Sequence, residues 1–244
     1  MNDRTALVTG ANKGIGKQIA RLLAAEGFVV YVGSRDAERG RRASEEIGGA
    51  ARPLVLDVTD PESVAAAAAE VDRRGRLGPL DVLVNNAGIA PSLVPPTASD
   101  ADEFRRTYET NVFGVVTVTN AFLPALRRSP SPRIVNVSSG TGSLTWSTSP
   151  NPQFAHGNGG GGAYRSSKAA LNALTILYAQ TLAEEAFKVN ALAPGLRATD
   201  LNSRAATASG DPAEAAQGAV RLALLPEDGP TGEFFSWDGT PVPW

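Results

Sequence analysis

The order of apolar and polar runs in this chain predicts an α/β fold: a doubly wound parallel sheet of about seven strands with helices on both faces. Three observations predict it. Short β-branched runs alternate with longer helix-like stretches over all 244 residues, the pattern of successive right-handed βαβ units. The middle runs are apolar at every position, as in strands covered on both faces. A turn dense in glycine, TGANKGIG at 9–16, separates the first strand from the first helix.

The elements follow in order. Strands are expected at 5–9 (TALVT), 28–33 (FVVYVG), 52–58 (RPLVLDV), 81–87 (DVLVNNA), 133–139 (RIVNVSS), 188–194 (KVNALAP) and 233–238 (EFFSWD). Helices are expected near 16–26, 36–47, 61–74, 101–127, 164–186 and 211–224. The alanine run at 65–70 belongs to the third of these rather than to a linker. The stretch 140–163 is rich in Gly, Ser, Pro and Asn and reads as a loop. No internal repeat is visible, and the length suits a single domain, residues 1–244.

Composition excludes several classes. The formal net charge of −2 offers no bulk basicity for nucleic acid. No run reaches the apolar length needed to span a bilayer. The chain enters a strand at once, which leaves no room for a leader, and a cytoplasmic location is the expectation. There is no cysteine, so disulfides, thiol catalysis and cysteine metal sites are out. His156, the single histidine, stands among glycines with no acidic neighbour, so no metal site is expected.

Gly10, Gly14 and Gly16 follow a strand and open a helix. Glycine permits a tight turn and close approach of backbone to a ligand. The helix N-terminus adds free N–H groups that suit a diphosphate, and this position in a doubly wound sheet suits a dinucleotide. Arg35 comes directly after the second strand, where the adenosine ribose would lie, and Lys13 can lean in from the turn. Two cations there fit a 2′-phosphate, so the expected cofactor is NADP(H) rather than NAD(H); either charge taken alone is equally a solvated surface group. Asp36 would serve a free 2′-hydroxyl, or cap the next helix, and its place favours the cap.

Tyr164 and Lys168 are spaced i, i+4, on one face of a helix. An ammonium beside a phenol pulls its pKa from about 10 toward neutrality, which lets the tyrosine trade protons near pH 7. Ser139 ends the fifth strand at the carboxyl edge of the sheet, where ligands of such sheets bind. Asn111 falls inside a long helix, where asparagine has poor propensity.

Taken together, TGANKGIG (9–16), Asp57-Val58, NNAG (85–88), Asn111, VNVSS (135–139), Tyr164-x3-Lys168 and PGLRAT (194–199) resemble the short-chain dehydrogenases/reductases in order and spacing, over nearly the whole chain. The resemblance implies a Rossmann-type domain and a role for each matched residue. Gly10, Asn12, Lys13, Gly14, Ile15 and Gly16 would cradle the diphosphate and 2′-phosphate, with Arg35 on that same phosphate. Asp57 and Val58 would contact adenine. Asn86, Ala87 and Gly88 would line the ribose side. Pro194, Gly195, Arg197 and Thr199 would hold the nicotinamide end. Asn111, Ser139, Tyr164 and Lys168 look like the family's catalytic tetrad. Ser139 would orient a carbonyl oxygen and Tyr164 protonate it. Lys168 would tune Tyr164 and bind the nicotinamide ribose, and Asn111 would hold a water leading to solvent. The implied activity is reduction of a ketone, aldehyde or quinone to an alcohol.

Two departures stand out. Ser139 and Tyr164 are 25 positions apart, about twice the distance in many members. An insertion at about 140–163 is similar to that of the monomeric carbonyl reductases, as is the tail LPEDGPTGEFFSWDGTPVPW (225–244). It favours a monomer, with homodimer and tetramer as alternatives. The segment after Thr199 is short for a lid, so Trp146 and Phe154 become candidates for substrate contact or for packing the loop onto the body. Two rival readings are a 3-oxoacyl-carrier-protein reductase, for which Arg127 and Arg128 could face the acidic carrier, and a non-catalytic NADP(H) sensor or scaffold.

Overall fold

Seven parallel strands form one sheet in the order β3-β2-β1-β4-β5-β6-β7. They are β1 (Thr5–Val8), β2 (Val29–Ser34), β3 (Ala51–Val55), β4 (Val82–Asn85), β5 (Arg133–Val137), β6 (Lys188–Ala193) and β7 (Phe234–Ser236). The computed structural model describes residues 4–74, 79–148 and 159–244. The helices are α1 (Gly14–Ala25), α2 (Ala37–Ile47), α3 (Pro61–Arg73), α4 (Ala101–Tyr108), α5 (Gly114–Leu126), α6 (Leu144–Thr148), α7 (Gly162–Thr181), α8 (Ser203–Ala206) and α9 (Pro212–Ala223).

Alternation along each strand divides the core in two. Ala6 and Val8 of β1 pack with Ile19 and Leu23 of α1 and Ala216 and Ala219 of α9. Leu7, between them, points to the other face, with Val64 of α3 and Val118 and Phe122 of α5. Both faces are therefore covered, which is why the central strands carry no polar alternation. Pro53 lies in β3, which pairs only with β2; at a sheet edge a missing N–H costs no ladder bond.

Aspartates start the helices. Asp36, Asp60, Asp100 and Asp211 cap α2, α3, α4 and α9 with side-chain oxygens that accept from the first-turn amides. In α3 and α9 a proline follows in the first turn, where its lack of an N–H does no harm.

Two expectations are corrected. The single helix over 101–127 is three pieces, with a π-helical turn, Glu109–Phe113, between α4 and α5. Asn111 sits in that turn, fully buried, and Gly114 beside it packs so tightly on Val58 that a Cβ would stand 2.9 Å from the Val58 carbonyl oxygen. The expected loop after β5 is in its described part helical: a 3-10 turn at Gly140–Gly142 leads into α6, whose first turn is capped by Ser143 Oγ accepting from Trp146 N at 3.0 Å. Thr145 N donates to the Trp244 carbonyl at 3.1 Å, and the Trp244 ring stacks on Phe234 with centroids 5.2 Å apart. Trp146 packs with Trp244 against Ala191, Ala193, Phe234 and Val242. It anchors α6 to the body. Phe154 and His156 lie outside the described residues.

Candidate active site

A cleft of about 490 Å³ opens at the carboxyl edge of the sheet. It lies where the strand order reverses between β1 and β4, the crevice such sheets offer a ligand. The residues after β1, β2, β3, β4, β5 and β6, together with α7, form its wall.

The turn after β1 is built for backbone exposure. Gly10 and Gly14 have φ of +61° and +54°, a region that favours glycine. A Cβ on Gly16 would overlap the Asn86 side-chain amide and stand 2.6 Å from the Gly10 carbonyl oxygen. Asn86 braces the turn, its Nδ2 donating to the carbonyls of Thr9 (2.9 Å) and Gly10 (3.2 Å). Thr9 Oγ1 in turn accepts from the amides of Asn86 and Ala87. At the start of α1, Lys13 makes no side-chain cap, so the first amides of the helix are left for an anion. Asn12, Lys13, Gly14, Ile15, Ala87 and Gly88 all border the cleft.

The far end carries the cations. Arg35, Arg39 and Lys13 border it together with Ser34, Asp36, Asp57 and Val58. Asp36 caps α2, Oδ1 accepting from Arg39 N at 2.9 Å, and its Oδ2 lies 3.3 Å from Arg39 Nε. Asp57 Oδ1 accepts from Thr59 N (3.0 Å) and Thr59 Oγ1 (2.7 Å). Sequence reasoning missed Arg39. Its position i+4 from Arg35, one turn into α2, is the signal that could have found it.

At the near end α7 presents Tyr164 and Lys168. Lys168 Nζ donates to the Val137 carbonyl at 2.8 Å and lies 5.8 Å from the centre of the Tyr164 ring. Lys168 is only 4% exposed, and this burial pulls its pKa down to about 8. Burial pushes the Tyr164 phenol up, and a hydrogen bond with Ser139 offsets part of that rise. The expected pull of Lys168 toward neutrality is therefore overridden by desolvation within the chain itself. Ser139 caps the 3-10 turn, with its Oγ 2.8 Å from Thr141 Oγ1. Ser138 is buried and donates to Asn172 Oδ1 at 2.5 Å, leaving Ser139 as the serine beside the phenol.

The Asn111 side chain is fully buried and bonded within the protein. Its Oδ1 accepts from Ile89 N at 2.9 Å, and its Nδ2 donates to the Ile89 carbonyl (2.9 Å) and to Ser167 Oγ (3.0 Å). It ties the segment after β4 to α7, one residue from Lys168. A Cβ on Gly88 would stand 3.3 Å from Asn111 Oδ1 and 3.5 Å from Lys168 Nζ, so that position is small for lack of room.

After β6, Pro194 and Thr199 border the cleft. Arg197 turns away from it. Its Nε donates to the Pro194 carbonyl at 2.7 Å, its Nη1 to Glu214 Oε2 at 2.6 Å, and the guanidinium lies 4.3 Å above the Trp237 ring. Gly195 sits against the same tryptophan. These two hold the loop from behind, and the expected contact of Arg197 with a ligand is withdrawn because its charge is used on Glu214 and Trp237. Asp200 and Leu201, not anticipated, complete the wall. Gly142 was also missed: a Cβ there would come within 2.8 Å of the Lys168 backbone. A glycine three residues past Ser139 was the available signal.

Known proteins resemble the chain in sequence and in fold. The short chain dehydrogenase family matches residues 4–209. Salutaridine reductase of Papaver bracteatum is 33% identical over 95% of this chain and 94% of its own. A carbonyl reductase from chicken fatty liver, solved with NADPH bound, superposes with a TM-score of 0.84 at 30% identity over 100% of both chains. A 3-ketoacyl-(acyl-carrier-protein) reductase from Brucella melitensis, solved with NADH, gives 0.79 at 27% identity over 96% of each.

Proposed function

The chain belongs to the short-chain dehydrogenase family, and from that premise we propose that it reduces a ketone, aldehyde or quinone to the alcohol with NADPH, Tyr164 supplying the proton. The observation that carries this reading is the hydrogen-bonded pair of Tyr164 and Ser139 above a buried Lys168, at the near end of a cleft whose far end holds Lys13, Arg35 and Arg39.

The residues fit the cofactor. The glycine turn leaves space only for backbone at the diphosphate, and Asp36, the acid that would favour a free ribose hydroxyl, is used as a cap. Lys13, Arg35 and Arg39 would take the 2′-phosphate. Asp57 and Val58 would take adenine, and Pro194 and Thr199 the nicotinamide end. NADPH, when bound, supplies the hydride to the carbonyl carbon.

Tyr164 and Ser139 do the rest. A phenol pushed up by burial stays protonated at neutral pH, so it is poised to donate. As charge grows on the substrate oxygen, the Ser139 hydroxyl holds that oxygen and Tyr164 passes its proton to it. Lys168 keeps a positive charge beneath the forming phenolate and is itself held by Val137. Asn111 fixes the α7 face that carries both.

The carrier-protein reading is weaker. Arg127 and Arg128, the cations it would need, are paired with Glu185 and Asp72.

The experiment is a spectrophotometric assay of NADPH against NADH over ketones, aldehydes and quinones, with Tyr164→Phe alongside. Tyr164→Phe should keep NADPH affinity and lose about 100- to 10,000-fold in kcat. Retained turnover would remove Tyr164 from the role of acid, and no oxidation with any carbonyl would end the proposal.

A further inference from the structure

The side of α7 that packs on β5 carries a stripe of polar groups, and from it we infer that Asn172 is a positioning residue: it holds Ser138, and through Ser138 it sets where Ser139 stands against Tyr164. The inference rests on the carbonyl-reducing reading above, in which that serine and that tyrosine share the substrate oxygen.

Residues 136–139, at and just beyond the end of β5, each meet one group of α7. Asn136 Nδ2 donates to Thr175 Oγ1 at 2.9 Å, and the Val137 carbonyl accepts from Lys168 Nζ at 2.8 Å. Ser138 Oγ donates to Asn172 Oδ1 at 2.5 Å, and Ser139 is hydrogen-bonded to the Tyr164 phenol. Positions 164, 168, 172 and 175 share one side of the helix, because steps of three or four residues return to nearly the same bearing. Asn136 is held a second way, its Oδ1 accepting from its register partner Asn85 at 2.9 Å. The bond from Ser138 to Asn172 is the one that stands directly before Ser139.

Ser138 has its backbone and its side chain restrained from different elements. Its N–H donates to the Leu192 carbonyl of β6 at 2.8 Å. Its hydroxyl goes to Asn172, with the Lys168 carbonyl farther off at 3.4 Å. Ser139 then continues in an extended conformation, φ −160° and ψ 142°, into the 3-10 turn. A tilt at Ser138 is therefore passed straight to the Ser139 hydroxyl.

For the fold alone, Asn172 is a poor choice. It is 4% exposed, and its Nδ2 has no partner among the described residues. A buried donor left unmet opposes folding, whereas an apolar group of similar shape would not. A residue that breaks the rule for stability, one turn along the helix from Lys168, is accounted for by what it does to the site.

The test is Asn172→Leu, which keeps the branching of the side chain and removes both the acceptor and the unmet donor. Its melting temperature should hold or rise. The Kd for NADPH should stay the same. With phenanthrenequinone, or the fastest carbonyl compound of the panel, the single-turnover rate of NADPH oxidation should fall about ten- to a hundredfold, the scale of a small misplacement of reacting groups. On a Ser139→Ala background the same substitution should change that rate by less than about twofold, since the group it acts through is gone. Ser138→Ala should slow turnover as Asn172→Leu does, and it decides the matter if Asn172→Leu does not fold. An undiminished rate, or the same further loss on the Ser139→Ala background, overturns the inference while the carbonyl-reducing reading stands. A lower melting temperature with an unchanged rate per folded molecule makes Asn172 structural and overturns it equally. If the parent oxidises NADPH with no ketone, aldehyde or quinone, both readings fall together.

Discussion

Asp200 and Lys13, 187 positions apart in the chain, form an ion pair across the mouth of the cleft. Both side chains remain more than half exposed. The Thr199 methyl next to them lies 3.5 Å from where a Cβ on Gly14 would stand. The glycine turn and the segment after β6 thus touch in front of the space the diphosphate would fill.

Asp200 competes with a 2′-phosphate for Lys13. Asp200→Asn should tighten NADPH binding by about two- to fivefold, the worth of an exposed pair, and leave NADH binding unchanged. Isothermal titration calorimetry reads both. Weaker NADPH binding would mean that the pair positions Lys13 rather than occupying it.

Arg35→Asp acts at the other side of the same phosphate. Replacing a cation by an anion there should weaken NADPH by about a hundredfold and NADH far less. Fluorescence titration of the two cofactors decides it, and equal losses would sink the 2′-phosphate assignment.

Lys168 sets a pH dependence. Its folded-state pKa is about 8, against 10.5 when free. Between those values the unfolded chain holds a proton that the folded chain has released, so this group's contribution to stability rises with pH across that window. Below about pH 8 the burial penalty is carried in full, and Lys168→Met should there gain most in denaturant midpoint relative to the parent, the gain shrinking above it. In the same window kcat for reduction should fall as the charge under Tyr164 is lost. A profile flat through pH 8 would refute the buried cation.

Gly142→Ala probes the contact between the serine turn and α7. The added methyl would press on the Lys168 and Ala169 backbone at 2.8–3.0 Å. Overpacking of this kind should cost about 1–3 kcal/mol and lower kcat, because Ser139 and Tyr164 sit on the two sides of that contact. Thermal melting with a kcat measurement checks both, and an unchanged kcat would place Ser139 outside the chemistry.

The elements that could be read from the sequence are those specified locally. Strand–helix alternation, the glycine turn and the i, i+4 spacing of Tyr164 and Lys168 all sit within a few residues. What could not be read depends on distant partners. The run RIVNVSS was expected to stay in β5 through Ser139, yet the strand ends at Val137 and the Ser138 hydroxyl is tied to Asn172, 34 positions on. Arg197 looks like a ligand contact until Glu214 and Trp237 are brought beside it by α9 and the chain after β7. Nor does helix periodicity reveal the π-turn, since the Ile89 backbone groups that bind Asn111 come from the segment after β4.

That π-turn makes α4 and α5 one rod read in two phases. An α-helix advances about 100° per residue, so the extra residue at Glu109–Phe113 shifts the bearing of everything after it. Upstream of the step, Thr107 and Glu103 point inward; downstream, Val115, Val118 and Phe122 do. Loss of any one residue there would bring the two halves back into phase and swing one buried stripe out to solvent. The segment is thus intolerant of a change in length even where it would accept a change of side chain.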